Sequence, residues 1–196
     1  PQKELPGDAD LISLARDGVY QLNLKYRQKG YRPFFLFHRE RLWNPGEDCW
    51  MGWERKRGKL VELNNLLRGD GKTSFIVQVG DLKILPSIRY VITLDADTGL
   101  PRDAAHNLIG ALAHPLNQAD FDPVTGAVRD GYTVLQPRVQ VRPATANRSI
   151  FTRVYSGDST LDLYTTAVSD VYQDLFGEGS YVGKGIYDVD AFARSV

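Results

Sequence analysis

The chain has few of the features that would assign it to a specialised class. Its single cysteine, Cys49, excludes an internal disulfide and any all-cysteine metal site, and it fits a reducing compartment. No apolar run approaches the ~20 residues that are needed to cross a bilayer. The 24 basic and 24 acidic residues leave no net charge. Binding to nucleic acid or to an anionic membrane surface is therefore not expected to be the main task of the chain.

The composition that is present is typical of a soluble globular protein. Hydrophobic residues make up 42% of the 196 residues and charged residues 24%. This length suits one domain with a sizeable core, and we predict a single domain over residues 1–196. Because the chain begins at Pro1 rather than at a methionine and stops at Val196 with no stop signal of its own, we expect it to be a piece of a longer protein, truncated at both ends.

Hydrophobic periodicity predicts alternating helices and strands. Helices are expected over residues 8–26, with Asp8 or Asp10 as the N-cap, and over 54–68, 105–112, 149–155 and 167–176. Strands are expected over residues 33–38, 74–79, 89–94 and 132–141, and loops over 39–53, 118–130 and 177–185. This alternation favours an α/β fold with a mostly parallel central sheet and helices on its faces.

The stretch Tyr90–Pro101 joins an apolar segment directly to two acidic residues. Residues 90–94 are aromatic, β-branched or aliphatic, which predicts a buried strand of the parallel type. Asp95 and Asp97 follow where that strand ends, and α/β sheets place their ligands beyond the carboxyl ends of strands. Since like charges this close repel each other, a divalent cation beside them explains the pair, and oxygen ligands suit magnesium, calcium or manganese better than zinc.

Two other interpretations of the aspartate pair stay open. Asp97 is able to cap the helix that follows Pro101, which is an ordinary structural role for aspartate. Alternatively, Asp95 is the nucleophile of a phosphatase-like hydrolase. That motif has Thr or Val two residues after the second aspartate, whereas this chain has Gly99.

Two further regions carry candidate binding residues. A basic cluster at residues 55–59 opens the second helix, where Arg57 or Lys59 would meet a phosphate if the cluster is more than a solvated face. Trp43, Trp50 and Trp53 would stack on sugar rings in a non-catalytic carbohydrate-binding segment, although tryptophans more often fill cores.

In this order the motifs resemble the glycosyltransferase domain of the cyclic β-1,2-glucan synthases, which are large bacterial inner-membrane enzymes. The segments on which this resemblance rests are FFLFHRER (34–41), WMGWERKRGKL (50–60), YVITLDADT (90–98), LQPRV (135–139) and TTAVSDVYQDLFGEGSYVGKGIYDVDA (165–191). The order is more distantly similar to that of processive family-two transferases such as cellulose synthase. Those enzymes have a Gln-x-Pro-like segment, whereas Gln136 is followed directly by Pro137 here.

The resemblance implies a GT-A-like nucleotide-sugar-binding fold and an inverting glucosyltransferase. Glucose would pass from UDP-glucose to the 2-hydroxyl of a growing β-1,2-glucan, with Mg²⁺ or Mn²⁺ as the metal. Asp95 and Asp97 would be the metal ligands. The remaining binding residues would line the donor pocket (Gly58, Lys59, Asn64 and Asp95) and the acceptor region (Gln136, Arg138, Gly183 and Lys184).

The resemblance also implies what this chain would not contain. The general base of family-two transferases follows the acceptor region, and we expect it beyond Val196, with Glu178 or Asp188 as substitutes in second place. The isolated chain would then be inactive, with no catalytic residue of its own. In the full-length enzyme this region would lie at the cytoplasmic face of the inner membrane, attached through segments outside the chain. The sequence leaves its oligomeric state open.

Overall fold

The computed structural model describes residues 2–27, 30–137, 150, 175–176, 181 and 183–195. The chain divides into two compact units. The first unit comprises Pro1–Val91 and Asp188–Val196, and the second comprises Ile92–Tyr187. The predicted single domain over residues 1–196 stays a prediction.

Three helices belong to the first unit. They are α1 (Asp8–Tyr26), α2 (Arg55–Leu67) and, near the end of the chain, α4 (Val189–Ser195). The predictions of helices at 8–26 and 54–68 are confirmed. The predicted N-cap is wrong, because Gly7, with φ of 92°, precedes α1 and no side chain caps it. The Asp8 carboxylate instead forms an ion pair with Arg41, with 2.5 Å between Oδ2 and Nη1.

Two antiparallel strand pairs complete the first unit. Strand β1 (Leu36–Arg39) pairs with β4 (Phe75–Val79), and Phe37 packs edge-on against Phe75 with 5.6 Å between ring centroids. The strands β2 (Leu42–Asn44) and β3 (Cys49–Met51) form a hairpin in the segment that we predicted to be a loop. The turn signal Asn44-Pro45-Gly46 marks its tip, and aromatic pairing across the strands explains why a hairpin forms: Trp43 faces Trp50, with 5.7 Å between centroids.

A three-stranded sheet with the order β5–β9–β8 positions the candidate site. Its strands are β5 (Tyr90–Thr93), β8 (Val134–Leu135) and β9 (Gly185–Asp188). In the second unit, Val134 faces Tyr187 and Leu135 faces Ile186 across an antiparallel pair. Helix α3 (Ala104–Ala113) lies near the predicted range. The core contains Ile186 and Tyr187, both fully buried, and Leu112 of α3.

The sequence prediction of a mostly parallel central sheet needs correction. The pairs β1–β4, β2–β3 and β8–β9 are all antiparallel, as is β6 (Asp120–Phe121) with β7 (Val128–Asp130). The described residues therefore form a mixed α/β structure with short antiparallel sheets, and no mostly parallel central sheet is seen among them. The error has a physical cause: β5 is half-buried rather than fully buried, and the segments at 39–53 and 118–130 fold back as hairpins.

Several predictions concern residues that the structure does not describe. Apart from residue 150, the predicted helix at 149–155 lies outside the described residues. The same holds for most of the predicted helix at 167–176 and for much of the glycine-rich segment at 177–185. Short 3₁₀ helices occupy Leu82–Ser87 and Pro115–Asn117. None of the helices in the described ranges is both long and apolar enough to traverse a bilayer.

Candidate functional site

The two aspartates of the motif lie in a turn directly after β5. We call residues 95–98 the aspartate turn; it is closed by a hydrogen bond from the Thr98 N–H to the Asp95 carbonyl oxygen at 3.0 Å. Asp95 is half-buried and Asp97 is exposed. The strand thus ends before the first carboxylate, as the sequence predicted, and the turn presents the second one to solvent.

Asp97 does not cap the helix that follows Pro101, which was the structural role considered for it. The N-cap position of α3 is occupied by Asp103, which adopts a left-handed conformation with φ of 62° and makes no side-chain capping hydrogen bond. In the described part of the chain, the Asp97 carboxylate accepts one long hydrogen bond, from the Thr98 hydroxyl at 3.5 Å. Because neither helix capping nor a strong local bond occupies this exposed carboxylate, it is available to a ligand.

Asp95 has a cationic partner that the sequence did not indicate. The Lys184 Nζ atom lies 3.1 Å from Asp95 Oδ2, and the two side chains are 30% and 35% exposed. Sequence analysis placed Asp95 at the metal and Lys184 at the acceptor, so it did not pair them. The structure brings the two predicted groups together in one ion pair within the second unit.

The backbone on either side of Lys184 is held closely. Gly183 is buried with φ of 79°, and Gly185 has φ of 155°. A Cβ atom on Gly185 would lie 2.4 Å from the Leu135 carbonyl oxygen of β8, so only glycine fits there. These two glycines explain the Gly-Lys-Gly sequence structurally, and they fix the point from which the lysine side chain extends.

Thr93 links the end of β5 to the same segment. It is buried, and its hydroxyl donates to the Gly185 carbonyl oxygen at 3.3 Å and is hydrogen-bonded to the Tyr181 hydroxyl. Burial raises the pKa of the Tyr181 hydroxyl above its ordinary value. Sequence analysis missed Thr93 and Tyr181. A polar residue closing an otherwise apolar strand was the signal available for Thr93.

The other predicted acceptor residues are only partly placed. Gln136 is exposed and directly follows β8, and its Cα lies 3.2 Å from the position of a Cβ on Gly185. Arg138 lies outside the described residues, as does Glu178. Gly183, Lys184 and Gln136 therefore lie in one neighbourhood, and their role toward an acceptor stays a prediction.

The predicted donor residues lie on α2 in the first unit, where two of them have structural roles. Gly58 is buried against Trp53, because a Cβ there would be 2.1 Å from the Trp53 carbonyl oxygen. Asn64 is 1% exposed and donates from Nδ2 to the Val189 carbonyl oxygen at 3.1 Å. Lys59 is exposed. Their donor role stays a prediction. Packing accounts for the glycine, and the bond to Val189 accounts for the amide nitrogen of Asn64.

Asp188 is committed to structure rather than to proton transfer. Its Oδ1 atom accepts from the N–H groups of Asp190 and Ala191 at 3.0 and 3.1 Å, which caps α4. Its Oδ2 atom accepts from Arg89 Nε at 3.1 Å, and this hydrogen bond raises the pKa of Arg89. A carboxylate with three such donors is a poor general base, so the substitution of Asp188 for the missing base is not supported.

The donor atoms present fit a divalent cation that arrives with its substrate. The described residues contain no group of three or more His, Cys, Asp or Glu side chains able to hold a metal by themselves. Mg²⁺ and similar ions commonly use one or two carboxylates together with substrate phosphate oxygens and water. Asp95 and Asp97 offer that number of carboxylates in one turn, with Asp97 exposed.

Comparison with known proteins gives one strong similarity. The chain is 48% identical over 195 residues to the cyclic β-(1,2)-glucan synthase NdvB of Rhizobium meliloti, strain 1021. The match covers 99% of the chain and 7% of the length of that relative. No family model matches the chain. The resemblance drawn from the motifs is therefore confirmed: along nearly its whole length, the chain is similar to one segment of a cyclic β-1,2-glucan synthase.

Proposed function

We propose that the chain is the core of an inverting glucosyltransferase, which transfers glucose from UDP-glucose to a growing β-1,2-glucan in the full-length protein. The observation that carries the proposal is the aspartate turn with Lys184. Two carboxylates follow a sheet strand there, and the ammonium group of Lys184 lies 3.1 Å from the first of them. The name of the relative, a cyclic β-(1,2)-glucan synthase, supports the glucan product.

The proposed reaction is a single displacement at the anomeric carbon. The bond between C1 and the diphosphate oxygen breaks, and its electron pair leaves on the diphosphate. The 2-hydroxyl oxygen of the glucan forms the new bond to C1 from the opposite face, so an α-linked donor gives a β-linked product. The hydroxyl proton passes to a carboxylate base, which we expect outside the residues described here.

The residues of the second unit would supply charge complementarity to this step. A Mg²⁺ or Mn²⁺ ion, when bound, would neutralise the charge that develops on the departing diphosphate. Asp97 is exposed and would hold the ion, with Asp95 as the second carboxylate. Gln136, Arg138 and Gly183 would lie toward the acceptor. Gly58, Lys59 and Asn64, which we predicted for the donor pocket, belong to the first unit. The full-length protein would work at the cytoplasmic face of the inner membrane.

Calorimetric titration of the chain with UDP in the presence of Mn²⁺ tests this proposal. We expect Asp97→Asn to weaken Mn²⁺-dependent UDP binding at least about tenfold, because a direct ligand of the ion loses its charge. The matched control is Asp130→Asn in the same unit, since an exposed asparagine there is able to keep the bond that Asp130 Oδ1 accepts from the Gly131 N–H. Unchanged Mn²⁺-dependent binding in Asp97→Asn would show that the aspartate pair is not the metal site.

One observation favours carbohydrate contact by the first unit as a second candidate function. Trp43 on the β2–β3 hairpin and Trp53 beyond it are each 47% exposed, although tryptophan is costly to leave in water. Exposed aromatic faces stack on sugar rings. We expect Trp43→Ala to reduce retention of the chain on immobilised β-1,2-glucan in the presence of a chelator. Retention that persists in Trp43→Ala would argue against this candidate.

A further inference from the structure

We propose that Lys184 exchanges partners during the reaction, pairing with Asp95 before the donor binds and with the diphosphate afterwards. This inference rests on the proposed function and assigns Lys184 to the leaving group rather than to the acceptor. The motivating observation is that a predicted metal ligand already has a cation against it, at 3.1 Å.

The charges of the aspartate turn and Lys184 favour such an exchange. Two carboxylates in one four-residue turn repel each other when no cation is near. The Lys184 ammonium group satisfies Asp95 and lowers that cost, so the turn keeps its shape without a metal ion. A doubly charged ion at the aspartate turn competes directly with the lysine, since Asp95 is the partner that both would share.

The mobility of the Lys184 side chain permits the exchange. The pair is about one-third exposed, with side-chain exposures of 30% and 35%, so a ligand from solvent has access to both groups. The main chain at Lys184 is fixed between Gly183 and Gly185, whereas its four-carbon side chain has several rotatable bonds. Release from Asp95 therefore moves an ammonium group without moving the backbone.

The balance of charge also favours the exchange. When the bond between C1 and the diphosphate breaks, the leaving group gains one negative charge. A lysine released from Asp95 carries one positive charge, and it starts from the same turn at which the diphosphate would meet the ion. A cation placed where charge develops stabilises the transition state more than the ground state. The lysine that the metal ion displaces from Asp95 thus stabilises the charge on the departing diphosphate.

Two binding measurements on the complete chain test this exchange, because they are expected to change in opposite directions. In Lys184→Gln, titration with Mn²⁺ alone should show binding that is tighter by about threefold to fivefold, since the competing cation is gone. Titration with UDP at saturating Mn²⁺ should show binding that is weaker by about fivefold or more, since the diphosphate loses a charged partner. Lys184→Arg keeps the charge and should stay within about twofold of the unsubstituted chain in both titrations.

The matched control is Lys83→Gln, an exposed lysine of the first unit, which should change neither titration. If the Lys184→Gln chain binds both Mn²⁺ and UDP as the unsubstituted chain does, the exchange is wrong and the proposed function survives. Weaker binding of Mn²⁺ alone by Lys184→Gln also overturns the exchange, because it would mean that the lysine organises the turn instead of competing for it. If the unsubstituted chain shows no Mn²⁺-dependent UDP binding, the proposed function itself fails, and the exchange fails with it.

Discussion

Two ion pairs of this protein differ in how firmly their surroundings hold them. In the first unit, Arg39 and Glu62 approach to 3.8 Å with side chains only 8% and 14% exposed. In the second unit, Lys184 and Asp95 approach to 3.1 Å with side chains 30% and 35% exposed. The closer pair is thus the more exposed one. Distance alone does not tell which of the two is structural.

The bonds around the Arg39 pair show what makes it structural. The guanidinium donates to the Trp53 carbonyl oxygen at 2.9 Å and to the Arg55 carbonyl oxygen at 2.6 Å. Glu62 in turn accepts from the Ser74 hydroxyl at 2.7 Å. Burial lowers the pKa of Arg39, but guanidinium stays charged at any pH at which the protein folds. A planar fork with several fixed acceptors cannot exchange partners, whereas an ammonium group that is about one-third exposed can.

The largest effect that we expect comes from removing the buried cation. Arg39→Met leaves two carbonyl oxygens without their donor and Glu62 without its positive partner. The free energy of unfolding should fall by about 2–4 kcal/mol. Urea denaturation followed by circular dichroism measures this change.

The matching change in the other region is Lys184→Gln. Because that pair is partly exposed, we expect its free energy of unfolding to stay within about 1 kcal/mol of the unsubstituted chain. Similar losses of stability in Arg39→Met and Lys184→Gln would remove the contrast between the two pairs. They would also make Lys184 a structural residue.

The next effect distinguishes packing from ligand binding on α2. Gly58→Ala places a Cβ 2.1 Å from the Trp53 carbonyl oxygen and 2.7 Å from the Trp53 ring, so the helix or the tryptophan must shift. The expected loss is about 1–3 kcal/mol of unfolding free energy. It is measured by thermal denaturation alongside UDP titration.

Gly110→Ala in α3 is the control, because a Cβ there meets nothing within 4 Å. This exposed helical position should gain about 0.5–1 kcal/mol instead. If Gly58→Ala loses UDP binding while its melting temperature is unchanged, α2 is a ligand site. The first unit, like the second, would then contain ligand-binding residues.

The smallest effect is a dependence on acid at the surface of the first unit. The hydrogen bond from Arg41 lowers the pKa of Asp8 from 3.8 to about 2. A lowered pKa means that the pair stabilises the folded state above the ordinary value of 3.8, and that this contribution disappears as the pH falls toward 2. The urea midpoint of Asp8→Asn should therefore lie slightly below that of the unsubstituted chain at pH 6, and the two should converge between about pH 4 and pH 2. In an Arg41→Met background, the same aspartate substitution should show no such convergence.

The sequence predicted the elements whose pattern is local. Helix α2 follows from its leucine spacing and the glycine beyond its end, and β4 follows from its β-branched residues. The aspartate turn was expected because acids directly follow an apolar run. The β2–β3 hairpin was missed, since its short strands are held by a tryptophan pair rather than by alternation.

Long-range pairing was beyond the sequence. Lys184, the cationic partner of Asp95, lies near the C-terminal end of the chain. Nothing in the local sequence around Lys184 specifies this pairing. The antiparallel β8–β9 pair was hidden for a similar reason, because two residues of β8 are too few to reveal an orientation. Asn64 was predicted to bind a ligand, whereas its amide donates to a distant carbonyl oxygen. A buried asparagine looks the same in the sequence in either role.

The hydrogen bond from Asn64 to Val189 spans 125 residues of sequence. Val189 and Phe192 of α4 are buried, and they belong to the same compact unit as α2. During synthesis, that unit therefore cannot complete its core until α4 has emerged from the ribosome. The second unit is continuous in sequence, so all of its residues are available before α4 is made. Residues 1–91 are thus synthesised before the second unit but gain their last packing partners after it.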